Sequence, residues 1–380
     1  MSRTCSYAFL CSFLIAFLFY GCDSDNAVTT ILGTPDAVYT QSNQPSDNQL
    51  MMYSRAGDGT LTLTNTYSTG GTGTGMGLGS QGALTFNSDR SMIFVVNAGS
   101  NSISGFAVSA TGVSLVSTTP SGGTMPISVT VSGDLLYVLN ASGSGNITGF
   151  RINSDGTLSA IANSTANLSN NGTGSAPGPA EVQFNPSGTA IVVTEKGTSN
   201  ILSYSVNSNG TVTGPTVNSA VGMTPFGFEF RNDNQIIVSE AFGGAVDSSA
   251  VSSYSLSGTN IGLISGPIFT TETAACWIAI TEDRQYAYTT NTGSGSITGY
   301  IMNSAGVLTL LNSNGETGST GSGSKPIDMA FSSGSNYLYT LNAGNSTISS
   351  FQVNGNGSLT TINMTEETGL PTGSAGLIAK

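Results

Sequence analysis

One phrase recurs seven times along this chain, and that recurrence restricts the fold more than any other feature. Ile93–Phe106, Leu136–Phe150, Tyr286–Tyr300 and Tyr337–Phe351 are close copies of one another: an apolar run ending in Asn, a small polar turn, then Ile-Ser/Thr-Gly/Ser-aromatic. Ala190–Tyr204 and Gln235–Tyr254 are divergent copies, and Ala37–Tyr53 is a worn first one. The closing aromatics Tyr53, Phe106, Phe150, Tyr204, Tyr254, Tyr300 and Phe351 are spaced by 53, 44, 54, 50, 46 and 51 residues. Each copy reads as four short strands separated by Gly/Asn/Ser turns; in the third they are Pro126–Val131, Leu135–Asn140, Ile147–Ile152 and Thr157–Ile161. No stretch after the N-terminal segment carries a helical period. The pattern predicts an all-β, seven-bladed β-propeller of four-stranded antiparallel blades over residues 36–380. Gly373–Lys380 matches Gly79–Phe86, an innermost strand, and the first copy lacks that strand. The C-terminal strand should therefore join the first blade and close the ring, leaving no open edge.

Composition narrows the chemistry. Histidine is absent, which removes serine–histidine triads, histidine metal sites and imidazole acid–base catalysis. Nine basic residues against 21 acidic ones exclude nucleic-acid binding through a basic surface. Only 8% of residues are charged, so the few that break the repeat stand out.

The N-terminus reads as an export signal over residues 1–21: Arg3, an apolar stretch from Tyr7 to Tyr20, then Gly21-Cys22. The apolar stretch is too short for a comfortable membrane span of ~20 residues. A small residue directly before a cysteine here resembles the lipobox of bacterial lipoproteins. That resemblance implies cleavage before Cys22 and acylation of Cys22, with residues 22–35 as a tether. The mature chain would keep eight basic and 21 acidic residues and two cysteines, Cys22 and Cys276. With Cys22 acylated, no disulfide is available.

The Tyr/Val-Val-Thr-Asn phrase followed by Gly-Ser-x-x-Ile-Ser-x-Phe/Tyr resembles the YVTN β-propeller repeat. The whole mature chain resembles the seven-bladed lactonase-like family, which includes 6-phosphogluconolactonases and carboxymuconate-cyclising enzymes. Val193–Thr198, Thr224–Phe228 with Val238–Gly244, and Ala275–Trp277 with Tyr286–Gly293 resemble an uncharacterised bacterial branch of it. The resemblance implies a site in the central mouth built from histidine, glutamate and arginine. Here the matching strand starts read Pro126-Ile-Ser128, Pro225-Phe-Gly227 and Pro326-Ile-Asp328, without histidine. Arg90, Arg231 and Arg284 fall in turns on the opposite face, and only Lys196 and Lys325 stand near the mouth.

Three kinds of position could carry a site. Four copies end the second strand in Asn (Asn97, Asn140, Asn291, Asn342), whereas two consecutive ones carry Glu195 and Glu240. Paired carboxylates there could act as acid and base or hold a cation; equally, each could replace the Asn side chain in fixing the following loop. Glu181 and Asp328 share a second register, two residues beyond Pro179 and Pro326 on innermost strands, and would make the channel acidic. Cys276 stands where other copies have proline, and Trp277 then aligns with Ile127, Phe226 and Ile327, as core or as a stacking platform. The insert Phe242–Ser249 holds one carboxylate, Asp247, too few oxygens for calcium. The runs 68–82, 163–178 and 312–324, which carry only one charge, Glu316, read as lead-in loops without recognition chemistry.

These readings converge on an exported, envelope-associated, monomeric propeller. It is attached to the membrane through Cys22 and serves as a binding or interaction module for a protein or small polar ligand, not for nucleic acid. No cofactor and no protein-bound metal are expected, a divalent cation in the channel being the one left open. The alternative is a lactone hydrolase using Glu195 and Glu240. A periplasmic or secreted protein without the anchor is the alternative location.

Overall fold

The computed structural model describes residues 36–110, 112–366 and 369–380, so the expected export signal (1–21), the expected tether (22–35) and Cys22 lie outside the described residues. Seven antiparallel sheets follow one another around a ring. From the axis outward, the first blade is Ala375–Ala379, Ala37–Gln41, Gln49–Arg55 and Leu61–Ser68. The C-terminal strand thus forms the innermost strand of the first blade, pairing Val38 with Ala379 and Thr40 with Leu377. The other innermost strands are Leu84–Phe86, Thr124–Ser132, Pro179–Phe184, Pro225–Asn232, Ala275–Ile280 and Pro326–Phe331, for blades two to seven in that order.

Burial explains the repeat's composition. The second strands Met92–Asn97, Ala190–Glu195 and Tyr286–Asn291 are buried at every position, because both faces of a blade pack against neighbours. They accordingly read as near-continuous apolar runs rather than as alternation. The outermost strand Leu61–Ser68 is mostly exposed, and five of its eight residues are Thr, Asn or Ser. All seven closing aromatics lie on third strands, and none is more than 2% exposed.

Hydrogen bonds from second-strand tyrosines lock three of the blades to their successors. Tyr137 Oη donates to the Gly210 carbonyl at 2.8 Å and Tyr288 Oη to Gly357 at 2.7 Å. Tyr339 Oη donates to Gly59 at 3.0 Å, carrying the same lock across the closure from blade seven to blade one. Gly59 has φ +89, and a Cβ there would lie 2.6 Å from the Tyr337 ring, so glycine is required on both counts. Tyr339→Phe should leave the Gly59 carbonyl buried without a donor and cost about 1–2 kcal/mol, read as a lowered urea midpoint with unchanged m.

Candidate functional site

The lead-in loops and the ends of the second strands lie on one face, the loop face. The tight turns between first and second strands lie on the opposite, turn face. On the loop face the mouth of the channel is stoppered. The segment 77–82, from the lead-in loop of blade two, crosses it and bonds to three other blades. Ser80 Oγ donates to the Ile127 carbonyl at 2.7 Å, and the Gln81 N–H donates to the Ala180 carbonyl at 3.2 Å. The Val129 N–H donates to Gly82 at 2.8 Å and Trp277 Nε1–H to the Ser80 carbonyl at 2.9 Å. Lys196 Nζ donates to the Gly79 carbonyl. Leu78 packs beside Ile127, Val129 and Ala375. A run read from composition as recognition-free therefore fills the mouth.

Why Gln81 sits there follows from the innermost strands. The Ser128 hydroxyl accepts the Val182 N–H of the next blade at 3.2 Å, and Glu181 accepts the Phe228 N–H of its next blade at 2.7 Å. The Leu377 N–H likewise favours the Asp328 carboxylate, which also accepts the Met329 N–H at 2.8 Å. One side-chain acceptor at this register thus joins each of these blades to its successor. Blade five has Gly227 at that register and no side chain to reach Ile278 in blade six. Gln81 supplies it from across the channel: its Oε1 accepts the Ile278 N–H at 3.0 Å and its Nε2 donates to the Ile278 carbonyl at 2.8 Å. A Cβ on residue 227 would fall 2.0 Å from Gln81 Oε1, so the glycine and the glutamine are complementary.

The register also corrects one alignment. Ala275, not Cys276, pairs with Asn291 as Pro179 pairs with Glu195, so Ala275 holds the proline position. Trp277 then aligns with Glu181 and Asp328 instead of with Ile127, Phe226 and Ile327, which match Cys276. Trp277 is 4% exposed and its ring is 4.7 Å from that of Phe226; Lys196 Nζ lies 4.6 Å above the other partner in this stack, the Phe226 ring. Burial lowers the Lys196 ammonium to about 8 and raises the Cys276 thiol to about 11, which keeps Cys276 a thiol at neutral pH. Lys325 is exposed on the loop face.

Glu195 and Glu240 are each 0% exposed. Glu195 accepts the Ser169 N–H at 2.9 Å and the Ser169 and Thr198 hydroxyls at 2.5 and 2.6 Å. Glu240 accepts the Gly222 N–H at 3.0 Å and the Ser252 and Tyr254 hydroxyls, both at 2.8 Å. Asn97 does the same work in its own blade, donating to the Ser102 and Ser104 hydroxyls at 3.2 and 2.8 Å and accepting from Thr69 Oγ1 at 2.7 Å. Hydroxyls donate or accept, so Asn and Glu interchange here. The same role falls to Glu272, which the repeat did not single out: it is buried and accepts the Ser296 hydroxyl at 2.5 Å. In the insert, Phe242–Gly244 forms a 3-10 turn with Phe242 at φ +47, and Asp247 is exposed.

Below the stopper, a cavity of about 400 Å³ runs along the axis from Gln81 and Gly82 to Arg90 and Phe331 at the turn face. Glu181, Glu229 and Asp328 line it. Glu229 was not among the expected site residues; it shares a register with Gln183, whose Nε2 donates to Glu229 Oε1 at 3.0 Å. Burial raises Glu229 to about 7 and pushes Glu181 and Asp328 well above the usual carboxylate range, with Glu229 and Asp328 adding repulsion at Glu181. In the folded state these groups hold protons that the unfolded chain releases above its carboxylate value of 4.5. Stability should therefore fall as pH rises from about 4.5 to 7, on the order of 3 kcal/mol for Glu229. Urea midpoints at pH 5 and pH 8 measure this, and Glu229→Gln should flatten part of the slope.

Ring closure, blade count and the four-stranded sheets define a seven-bladed propeller whose usual mouth is blocked by its own chain. The sequence profile described as "Lactonase, 7-bladed beta-propeller" matches residues 46–167, 144–263 and 241–374, and the chain belongs to that family. No curated protein matches it. Among solved structures it is similar to a Bacteroides fragilis protein named as a candidate 6-phosphogluconolactonase, at 18% identity and TM-score 0.70, over 94% of this chain and 100% of that one. A periplasmic gluconolactonase of Pseudomonas aeruginosa is similar at 16% identity and TM-score 0.66, over 89% and 98%. A Lactobacillus plantarum protein reaches TM-score 0.71 at 17% identity, over 91% and 99%. At these identities the likeness is one of fold.

Proposed function

We propose that this family member is a binding module of the cell envelope, exported and attached through an acylated Cys22, and not a lactone hydrolase. The observation that carries the reading is the stopper. Lys196 and Trp277, two of the side chains near the mouth that could have met a ligand, bond to the protein's own Gly79 and Ser80 carbonyls. Glu195 and Glu240, the candidate acid and base, are enclosed by donors from the loops they hold. General acid–base catalysis needs a group within reach of the substrate proton, and neither is exposed. The family match supports the second reading, a divergent lactonase, because lactone hydrolysis is what the family's description names.

A turnover screen of the purified protein with gluconolactone and 6-phosphogluconolactone separates the two. The binding reading expects no hydrolysis above buffer. Hydrolysis that disappears in the Glu195→Gln/Glu240→Gln double variant would install the enzyme instead. For the anchor, palmitate label should enter the wild-type protein in a bacterial host and be lost from Cys22→Ser.

A further inference from the structure

We propose that the central channel, approached from the turn face, binds a small aliphatic diamine, with one ammonium group held beside Glu181 and Asp328 and the other beside Glu229 and Gln183. The proposal rests on the binding-module reading and names its ligand class.

Three observations carry it. The cavity is closed at the loop face by Gln81 and reaches the turn face at Arg90, so it is a pit with one opening. Glu181 is only 3% exposed; one of its oxygens accepts the Phe228 N–H, and the other has no hydrogen-bond donor among the described residues. Gln183 Oε1 is also buried without a donor, while its amide nitrogen is engaged with Glu229. One acceptor open to the pit, Glu181's second oxygen, beside two further carboxyl groups with no cation of the protein's own, calls for a ligand that brings N–H donors and, once the carboxyls ionise, positive charge. The protein's own cations do not fill that role. The ion pairs among the described residues are Arg55–Asp36 and Arg151–Asp134, both away from the channel. Lys196 is held on the stopper, and Arg90 lies over the Phe86 ring and donates to Ser333 at 2.5 Å.

Shape selects a diamine over a metal ion. Glu181 and Asp328 lie at one level on blades four and seven, three places apart in a ring of seven and so across the axis. Gln183 and Glu229 lie two residues further along their strands, roughly 6.6 Å nearer the turn face. That is close to the separation of the ammonium groups in extended putrescine or cadaverine. Ala279 and Ala330, on the same side of their strands as Trp277 and Asp328, supply apolar wall for the methylenes. Among the described residues no three acidic or cysteine side chains come close enough to hold a metal.

Calorimetric titration of the full-length protein with putrescine and cadaverine tests this, with butylamine, calcium and glucose as parallel ligands. The titratable groups facing the pit are Glu181, Glu229, Asp328 and Arg90. Ionised carboxylates favour the cation, so affinity should tighten at least tenfold from pH 5.5 to pH 8. Glu181→Gln keeps the acceptor for Phe228 and should fold, yet weaken the diamine about tenfold; Glu229→Gln should do likewise. Butylamine should bind at least tenfold more weakly than putrescine. No heat with either diamine at millimolar concentration, or binding unchanged in both variants, overturns the proposal. Calcium binding in place of the diamine overturns it too. If glucose binds and the diamines do not, this inference fails while the binding-module reading stands; lactone turnover would remove that reading itself.

Discussion

Gln81→Ala is expected to destabilise the protein by about 2–5 kcal/mol, far more than a loop substitution in a Gly/Ser-rich run ordinarily does. The side chain satisfies both backbone groups of Ile278 from across the channel. Removing it leaves a buried N–H and a buried carbonyl without partners, each worth about 1–3 kcal/mol. Gln81→Glu offers the acceptor but not the donor and should fall between wild type and alanine. Gly227→Ala approaches the same lock from the other side, because its Cβ would meet Gln81 Oε1 at 2.0 Å and the Cys276 carbonyl at 2.8 Å. Denaturation of the three variants is the measurement. If Gln81→Ala melts within error of wild type, the bonds from the stopper to Ile278 of blade six do not hold the ring at this register.

Glu195→Ala should cost about 1–3 kcal/mol, because a fully buried carboxylate is removed and its donors from half-buried Ser169 and exposed Thr198 lose their partner. Glu195→Gln should cost far less, since sibling blades run the same position on an amide and the hydroxyls can turn. The same contrast is expected at Glu240, where the Gly222 backbone approaches so closely that a Cβ there would lie 2.1 Å from Oε2. A Glu195→Ala protein as stable as wild type would show that the loop 163–178 does not depend on this carboxylate.

Architecture was legible in the sequence because a propeller repeats its instructions. The apolar second strand, the polar turn and the buried third-strand aromatic recur at nearly constant spacing, and Gly373–Lys380 announced its place by matching Gly79–Phe86. Glu195 and Glu240 were half legible: the Asn at the same position in four copies pointed to a loop-holding role, but the donors Ser169 and Tyr254 belong to other segments. The Cys276 register slipped by one residue because Ala275 replaces the proline that marks the position elsewhere, and the irregular pairing that follows hides the offset. The stopper was invisible for a different reason. Gln81 and Gly227 are complementary only in space, and a lone glutamine in a glycine-rich run carries no local pattern. Glu229 lies one register step beyond the position compared between copies, so its place beside Gln183 emerged only from strand pairing.

The C-terminal strand has a consequence in time as well as in space. A chain emerging from the ribosome can assemble blades two to seven in order, each on its predecessor. Its first blade must wait with one edge bare until Ala375–Ala379 arrives to pair with Ala37–Gln41. The strand that closes the ring therefore decides whether the first residues of the fold are ever shielded. A chain cut short anywhere before Ala375 presents that bare edge to proteases, so the ring inspects its own completeness at the moment it shuts.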